Sequence, residues 1–228
     1  MKTLDLHLVH VGKCAGESVH SALNQHKIFP KEHHCGNSNA DLADAILAGD
    51  PTLFFIVLIR DPVARFVSAF EWDLWEKVLL PEAPPRNEQW RHIYETFQSA
   101  NDLAEALTAK DAAVRMIADK AMRNSRLHMH MDLGWYLPPH VARRLTPANS
   151  FAVRTENIVG DFGRLIKELD APAIPDFVLP LSKNDYKKKL PEERRPPLSE
   201  LAISNIRDYS ITSYETIRIL KENGNIPT

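Results

Sequence analysis

Two stretches of this 228-residue chain set basic and hydroxyl side chains directly behind apolar runs. In LDLHLVHVGKCAGES, from Leu4 to Ser18, the run closes at Val11 and is followed by Gly12, Lys13, Cys14, Ala15 and Gly16. In FFIVLIRDPVARFVS, from Phe54 to Ser68, it closes at Ile59 and is followed by Arg60, with Ser68 eight residues further on. The chemistry that such residues support is anion binding. The first N–H groups of a helix have no partners inside the helix and lie at the positive end of its dipole, so a phosphate or sulfate there gains several hydrogen bonds at once. Lys13 adds a full positive charge beside them. Arg60 offers a planar fork of donors and Ser68 a hydroxyl, which together suit a second phosphate. One ligand carrying phosphate at both ends would satisfy both stretches. Gly12 and Gly16 bracket the first loop, but no Lys-Ser/Thr pair follows the second glycine, so the loop is not the nucleotide triphosphate pattern GxxxxGK[ST].

Positioning these residues takes buried strands that end at one edge of a sheet. The β-branched run up to Val11 predicts a strand, then a flexible turn and a helix starting near Glu17 and running to His26. Leu53–Ile59 is apolar throughout, the pattern of a central strand covered on both faces. Asp61-Pro62 breaks that strand and Pro62 opens a helix through Phe66, Val67 and Phe70 to Trp72 and Trp75, aromatic residues read mainly as core. Elsewhere the pattern predicts a short strand over Ile28-Phe29-Pro30, helices over 41–48, 92–108 and 111–123, a strand over Asn149–Arg154, and helices from Thr155 to about Leu169 and from Ser199 to Glu222. Arg154 and Glu156 are expected to make structural polar contacts. Strands alternating with helices predict a three-layer α/β/α sandwich with a mostly parallel sheet and its ligand at the carboxyl ends of the strands. The length suits a single domain over 1–228, with 81–90 and 182–197 as loops over the site.

The motifs carry a family likeness. HVGKCAGES resembles the 5′-phosphosulfate loop of sulfotransferases that use 3′-phosphoadenylyl sulfate (PAPS), and IRDPVARFVSAF closely resembles their 3′-phosphate motif. SFAVRTENIVGDFGRLIKELDAP looks like the strand, R-x-E turn and helix late in that fold, so the likeness covers most of the chain, and it is nearest to the carbohydrate type. The resemblance implies a P-loop-like sulfotransferase fold, PAPS as co-substrate without a metal, and transfer of a sulfuryl group to an acceptor hydroxyl on a glycan, a lipid or a small metabolite. It implies Lys13, Cys14, Ala15, Gly16, Glu17 and Ser18 at the 5′ side, with Lys13 also catalytic, and Arg60 with Ser68 at the 3′-phosphate. Some glycan sulfotransferases draw a His or Glu proton acceptor from the region equivalent to Lys31–Ser38. A histidine titrates in the range needed to take a proton from an attacking hydroxyl, and His34 is favoured over His33 because it lies nearer the site end of that loop. The family's acceptor cleft would draw on His128, His130, Trp135 and Tyr136. The run Lys183, Lys187, Lys188, Lys189, Arg194 and Arg195 is either a solvated face or a basic lid over the 3′-phosphate.

The remaining composition narrows the classes. A net charge of −2 supplies no global basic field of the kind that marks nucleic-acid binders. Cys14 and Cys35 make neither a disulfide framework nor a zinc pattern, which fits a reducing compartment, and His128 with His130 lacks a third metal ligand at fixed spacing. There is no charged-then-apolar signal pattern, and no apolar run approaches the ~20 residues that span a bilayer, so the expectation is a soluble cytoplasmic protein. Two other readings stand beside sulfuryl transfer. One is a P-loop-like kinase or nucleotide phosphotransferase, which requires Mg²⁺ and ATP and is disfavoured by the missing Lys-Ser/Thr pair. The other is a non-catalytic nucleotide-binding protein on the same fold.

Overall fold

The computed structural model describes residues 4–34, 38–80, 88–124, 127–180 and 185–227. The chain runs through β1 (Asp5–Val9), α1 (Gly16–Gln25), β2 (Lys31–His33), α2 (Ser38–Ala48) and β3 (Leu53–Ile59). Then come α3 (Pro62–Leu74), a π-helical turn over Trp75–Leu79, α4 (Glu88–Thr96), α5 (Ala100–Ala106), α6 (Ala112–Met122) and the short α7 (Leu133–Tyr136) and α8 (Pro139–Ala142). Finally β4 (Ser150–Arg154) is followed by α9 (Ile158–Glu168), α10 (Glu200–Tyr209) and α11 (Ile211–Glu222).

Several of these elements differ from the sequence expectation for identifiable reasons. The second strand is Lys31–His33, paired with His7, Leu8 and Val9, and not Ile28–Pro30; Pro30 has no N–H to give to a ladder. The helix expected over 92–108 is two helices, because Ser99 Oγ accepts from Asp102 N while Asp102 accepts from Ser99 N, a capping box that starts α5 afresh. The helix expected from Ser199 to Glu222 is broken at Ser210. Residues 127–131 form a turn, so His128 and His130 do not share a strand face. Of the loop expected over 81–90, residues 81–87 lie outside the described residues and Glu88–Trp90 belong to α4.

The chain divides into two compact units, one of residues 1–60, 132–182 and 212–228 and one of residues 61–131 and 183–211. The first holds a four-stranded, all-parallel sheet of order β2-β1-β3-β4, flanked by helices, an α/β architecture consistent with the three-layer arrangement. Leu8, Val9, Ile56, Val57 and Leu58 are buried completely, as central strands between two helical layers require. Ala152 N donates to Asn225 O (3.0 Å) and Asn225 Nδ2 to Ser150 Oγ (2.6 Å), which ties the stretch after α11 to β4. Chain connections leave β1 toward β2 on one side and β3 toward β4 on the other. The carboxyl ends of β1 and β3 therefore flank the switch point of the sheet, where ligands of open α/β sheets bind.

The second unit is helical. Phe66, Phe70, Tyr94, Leu103, Met122 and Ile206 belong to one buried cluster. Its first helix begins as the sequence requires, with Pro62 in the first turn and Asp61 Oδ1 accepting from Ala64 N at 2.9 Å. Asp73 is buried completely and accepts from His128 through both its backbone N (2.8 Å) and Nδ1 (2.6 Å). Arg65 donates to the carbonyls of His128 and Met131. Among the described residues, no helix is long and apolar enough to cross a membrane.

Candidate anion-binding site

The loop from β1 to α1 turns through backbone conformations that side chains rarely adopt. Lys13 and Ala15 have φ of 67° and 60°, each costing an L-residue about 1–2 kcal/mol. Cys14 N donates to Val11 O at 3.2 Å and Val19 N to Ala15 O at 3.1 Å, so the chain leaves the strand and enters the helix within a few residues. Ala15 is the N-cap of α1 and contributes no side-chain cap, so the positive end of the helix dipole faces this loop without a built-in acceptor from that position. Cys14, Gly16 and Ser18 are buried, Lys13 is half-buried, and the Glu17 side chain is exposed.

Arg60, the residue after β3, donates from Nη1 to Lys13 O at 3.0 Å. The two cationic residues read from separate motifs thus meet across the switch point. The bond uses one of the five N–H donors of the guanidinium and braces the strained loop at the residue that carries the lysine. Thr155 Oγ1 donates to Ile59 O at 3.1 Å, and so supports the strand end from which Arg60 projects.

A histidine cluster lies beside the loop on β1 and β2. His34 Nδ1 donates to His10 O at 2.9 Å, and the two rings stack with centroids 4.1 Å apart. That bond leaves His34 Nε2 as the nitrogen bearing the lone pair on a half-buried ring. His10 Nδ1 is bonded to Glu32 Oε1, and Glu32 Oε2 lies 3.6 Å from His20 Nδ1 on α1. His33 is buried against His7, with Nε2 and Nδ1 2.9 Å apart, so between the two adjacent histidines only His34 is placed to meet a ligand. Burial lowers the pKa of His10 from its ordinary 6.5, helped by neighbouring His34 and opposed by Glu32 and Glu17. Burial also lowers that of His7, with Lys31 adding to the effect and Asp5 opposing it. Both groups protonate more readily in the unfolded chain, so their effect on stability is constant above about 6.5 and becomes increasingly unfavourable as the pH falls below it. The melting temperature should therefore drop between pH 7.5 and pH 5.5, more steeply than in His10→Phe; a melting temperature that held or rose on acidification would contradict this.

The other residues expected at the site behave differently. Ser68, in the helical unit, is 5% exposed and its hydroxyl is hydrogen-bonded to Tyr186 Oη at 3.1 Å. The basic run is partly anchored in that unit: Lys189 Nζ lies 5.5 Å from the centre of the Trp75 ring, and Arg195 lies 3.4 Å from the buried Glu71. Cys35 and Lys183 lie outside the described residues. Trp135 and Tyr136 are in α7 of the first unit, their rings in edge-to-face contact at 4.7 Å. Among the described residues no group of His, Cys, Asp and Glu could hold a metal ion.

Sequence reasoning misses His10, Glu32 and Asp161. Lys31–His33 reads as loop because it is polar, although Glu32 and His33 stand opposite Leu8 and Val9 in the ladder. Asp161, buried completely, accepts from Arg154 N, Nε and Nη2 at 3.0, 2.7 and 2.8 Å and from Asn157 Nδ2 at 2.9 Å. The carboxylate bonded to Arg154 is thus on α9, one helical element beyond the expected Glu156.

Fold and site together define the first unit as an all-parallel α/β unit with a cationic loop at its switch point. Compared with known proteins, the chain matches no family model and no curated protein.

Proposed function

We propose that the chain is a PAPS-dependent sulfotransferase on a P-loop-like fold, moving a sulfuryl group to an acceptor hydroxyl of a glycan, lipid or small metabolite. The observation that carries the reading is the meeting of Lys13 and Arg60 at the switch point, from two motifs that separately resemble the 5′-phosphosulfate and 3′-phosphate loops. In this scheme the amides at the start of α1 hold the 5′-phosphate. The acceptor oxygen attacks sulfur and the bond between sulfur and the 5′-phosphate oxygen breaks. The electron pair stays on that oxygen, where Lys13 offsets the developing charge, and adenosine 3′,5′-bisphosphate leaves. The acceptor proton goes to His34 Nε2, the nitrogen left available by the bond from Nδ1 to His10 O. Arg60 is assigned to the 3′-phosphate. Ser68, as a phosphate ligand, would act with the Tyr186 phenol already bonded to it. Positioning and electrostatic stabilisation carry most of the catalysis in group transfers of this kind.

Differential scanning fluorimetry tests the reading. Adenosine 3′,5′-bisphosphate at one hundred times its Kd should stabilise the protein by about 2.7 kcal/mol, with ADP weaker and ATP with Mg²⁺ no better than ADP. Arg60→Ala should remove most of the bisphosphate shift. Stabilisation by ATP with Mg²⁺ but not by the bisphosphate would replace sulfuryl transfer with the phosphotransferase reading.

A further inference from the structure

We infer that His10 is a positioning residue that ties the anion-binding loop to His34, a role that rests on the sulfotransferase reading. Three contacts converge on its ring, which is 6% exposed. Nδ1 is bonded to Glu32 Oε1, which orients the ring from β2. One face stacks on His34 at 4.1 Å with the planes 23° apart, while the His10 carbonyl takes the His34 Nδ1 proton. The opposite requirement comes from the loop: a Cβ placed on Gly16 would sit 1.8 Å from His10 Cδ2 and Nε2 and 2.4 Å from Cε1.

The last contact explains the glycine. Gly16 does not have a left-handed backbone, so its conformation does not demand a glycine; the ring of His10 does. The first residue of α1 therefore packs directly on an imidazole whose other neighbours are Glu32 and His34. The ring cannot retreat cheaply, because moving it away from Gly16 breaks its bond to Glu32 or pushes on His34. Displacement of the loop by a bound anion is thereby transmitted to His34, and the thickness of one imidazole sets how far the proton acceptor stands from the helix start. With Nδ1–H donated to Glu32, Nε2 faces Gly16 without a proton, so the neutral ring adds no charge at the loop. The charged and titratable groups around it are Glu32 and His34 on β2 and just after it, and Glu17 and His20 on α1.

The experiment compares His10→Phe, which keeps a ring but loses the donor to Glu32, with His10→Ala, which loses both, and places Gly16→Ala in the wild-type and His10→Ala backgrounds. Histidine ¹⁵N NMR, with the His34 signal assigned by its loss in His34→Gln, should show a single Nδ1–H tautomer of His34 in the wild type and in His10→Phe, and a mixture in His10→Ala. Gly16→Ala should weaken adenosine 3′,5′-bisphosphate about tenfold or more in the wild-type background and lower its melting temperature, and more than half of that melting loss should vanish when His10 is Ala. An unchanged His34 spectrum in His10→Ala, or an equal cost of Gly16→Ala in both backgrounds, would overturn the inference. Ring coupling as described in a protein that does not bind the bisphosphate would overturn the sulfotransferase reading and leave His10 as the tie between loop and His34.

Discussion

Arg154→Ala should destabilise the folded chain by about 3 kcal/mol. Asp161 is buried completely, and Arg154 supplies three of the hydrogen bonds that compensate its charge, through its backbone N, Nε and Nη2. Truncating the side chain leaves the carboxylate buried with Arg154 N and Asn157 Nδ2 as partners. The effect lies toward the lower end for a broken buried pair because the Arg154 side chain is 29% exposed and part of its charge already faces water. For a chain of this size the loss corresponds to roughly 6–12 °C in melting temperature. Asp161→Ala should cost less in charge terms, since the stranded guanidinium can turn toward solvent, and the double variant should cost less than the sum of the two. Burial raises the pKa of Asp161, but the bonds from Arg154 and Asn157 outweigh it and hold the group below its ordinary 3.8. Its contribution is then complete above about 3.8 and is lost as the pH falls through the lower folded value. Urea denaturation at pH 7 measures the main effect; a change under about 0.5 kcal/mol, the range of ordinary surface substitutions, would show that the pair is not holding the end of β4.

Lys13→Ala should reduce sulfuryl transfer by about 10²–10³, the range for removing one preorganised group that stabilises developing charge. The substitution is structurally clean. Lys13 has φ 67°, and alanine, which also carries a Cβ, keeps the same backbone cost. The bond from Arg60 goes to the Lys13 carbonyl, which survives the change. Stability should therefore move by no more than about 0.5 kcal/mol. Transfer of labelled sulfate from PAPS into an extract of the source organism gives the readout whichever acceptor the enzyme uses. Retention of more than half the wild-type transfer would remove Lys13 from the mechanism, whereas loss of stability together with activity would make it a structural residue of the loop.

Much of the scaffold is legible in the sequence because its signals are local. The apolar run Leu53–Ile59 is β3 to the residue, and Asp61-Pro62 starts α3 with the cap and first-turn proline that the pair encodes. Expectation and structure part where a polar face conceals an element or a local cap interrupts one. Lys31–His33 forms a strand despite its charges because it pairs with β1, and a serine capping box splits the helical pattern after Thr96. The tie between Arg154 and Asp161 spans only seven residues, but Glu156 offers a nearer carboxylate and only the start of α9 selects between them.

The residues of the two basic motifs show the same division. The amino-acid sequence by itself determined that a basic loop follows one buried strand and an arginine another, since strand, turn and helix start depend on side chains within about ten residues of each other. Only the tertiary structure decided that β1 and β3 are neighbours, that Arg60 reaches the Lys13 carbonyl, and that Gly16 exists to admit the ring of His10. Strand order and ring packing are set by which surfaces are buried together across the sheet, and no spacing along the chain records that.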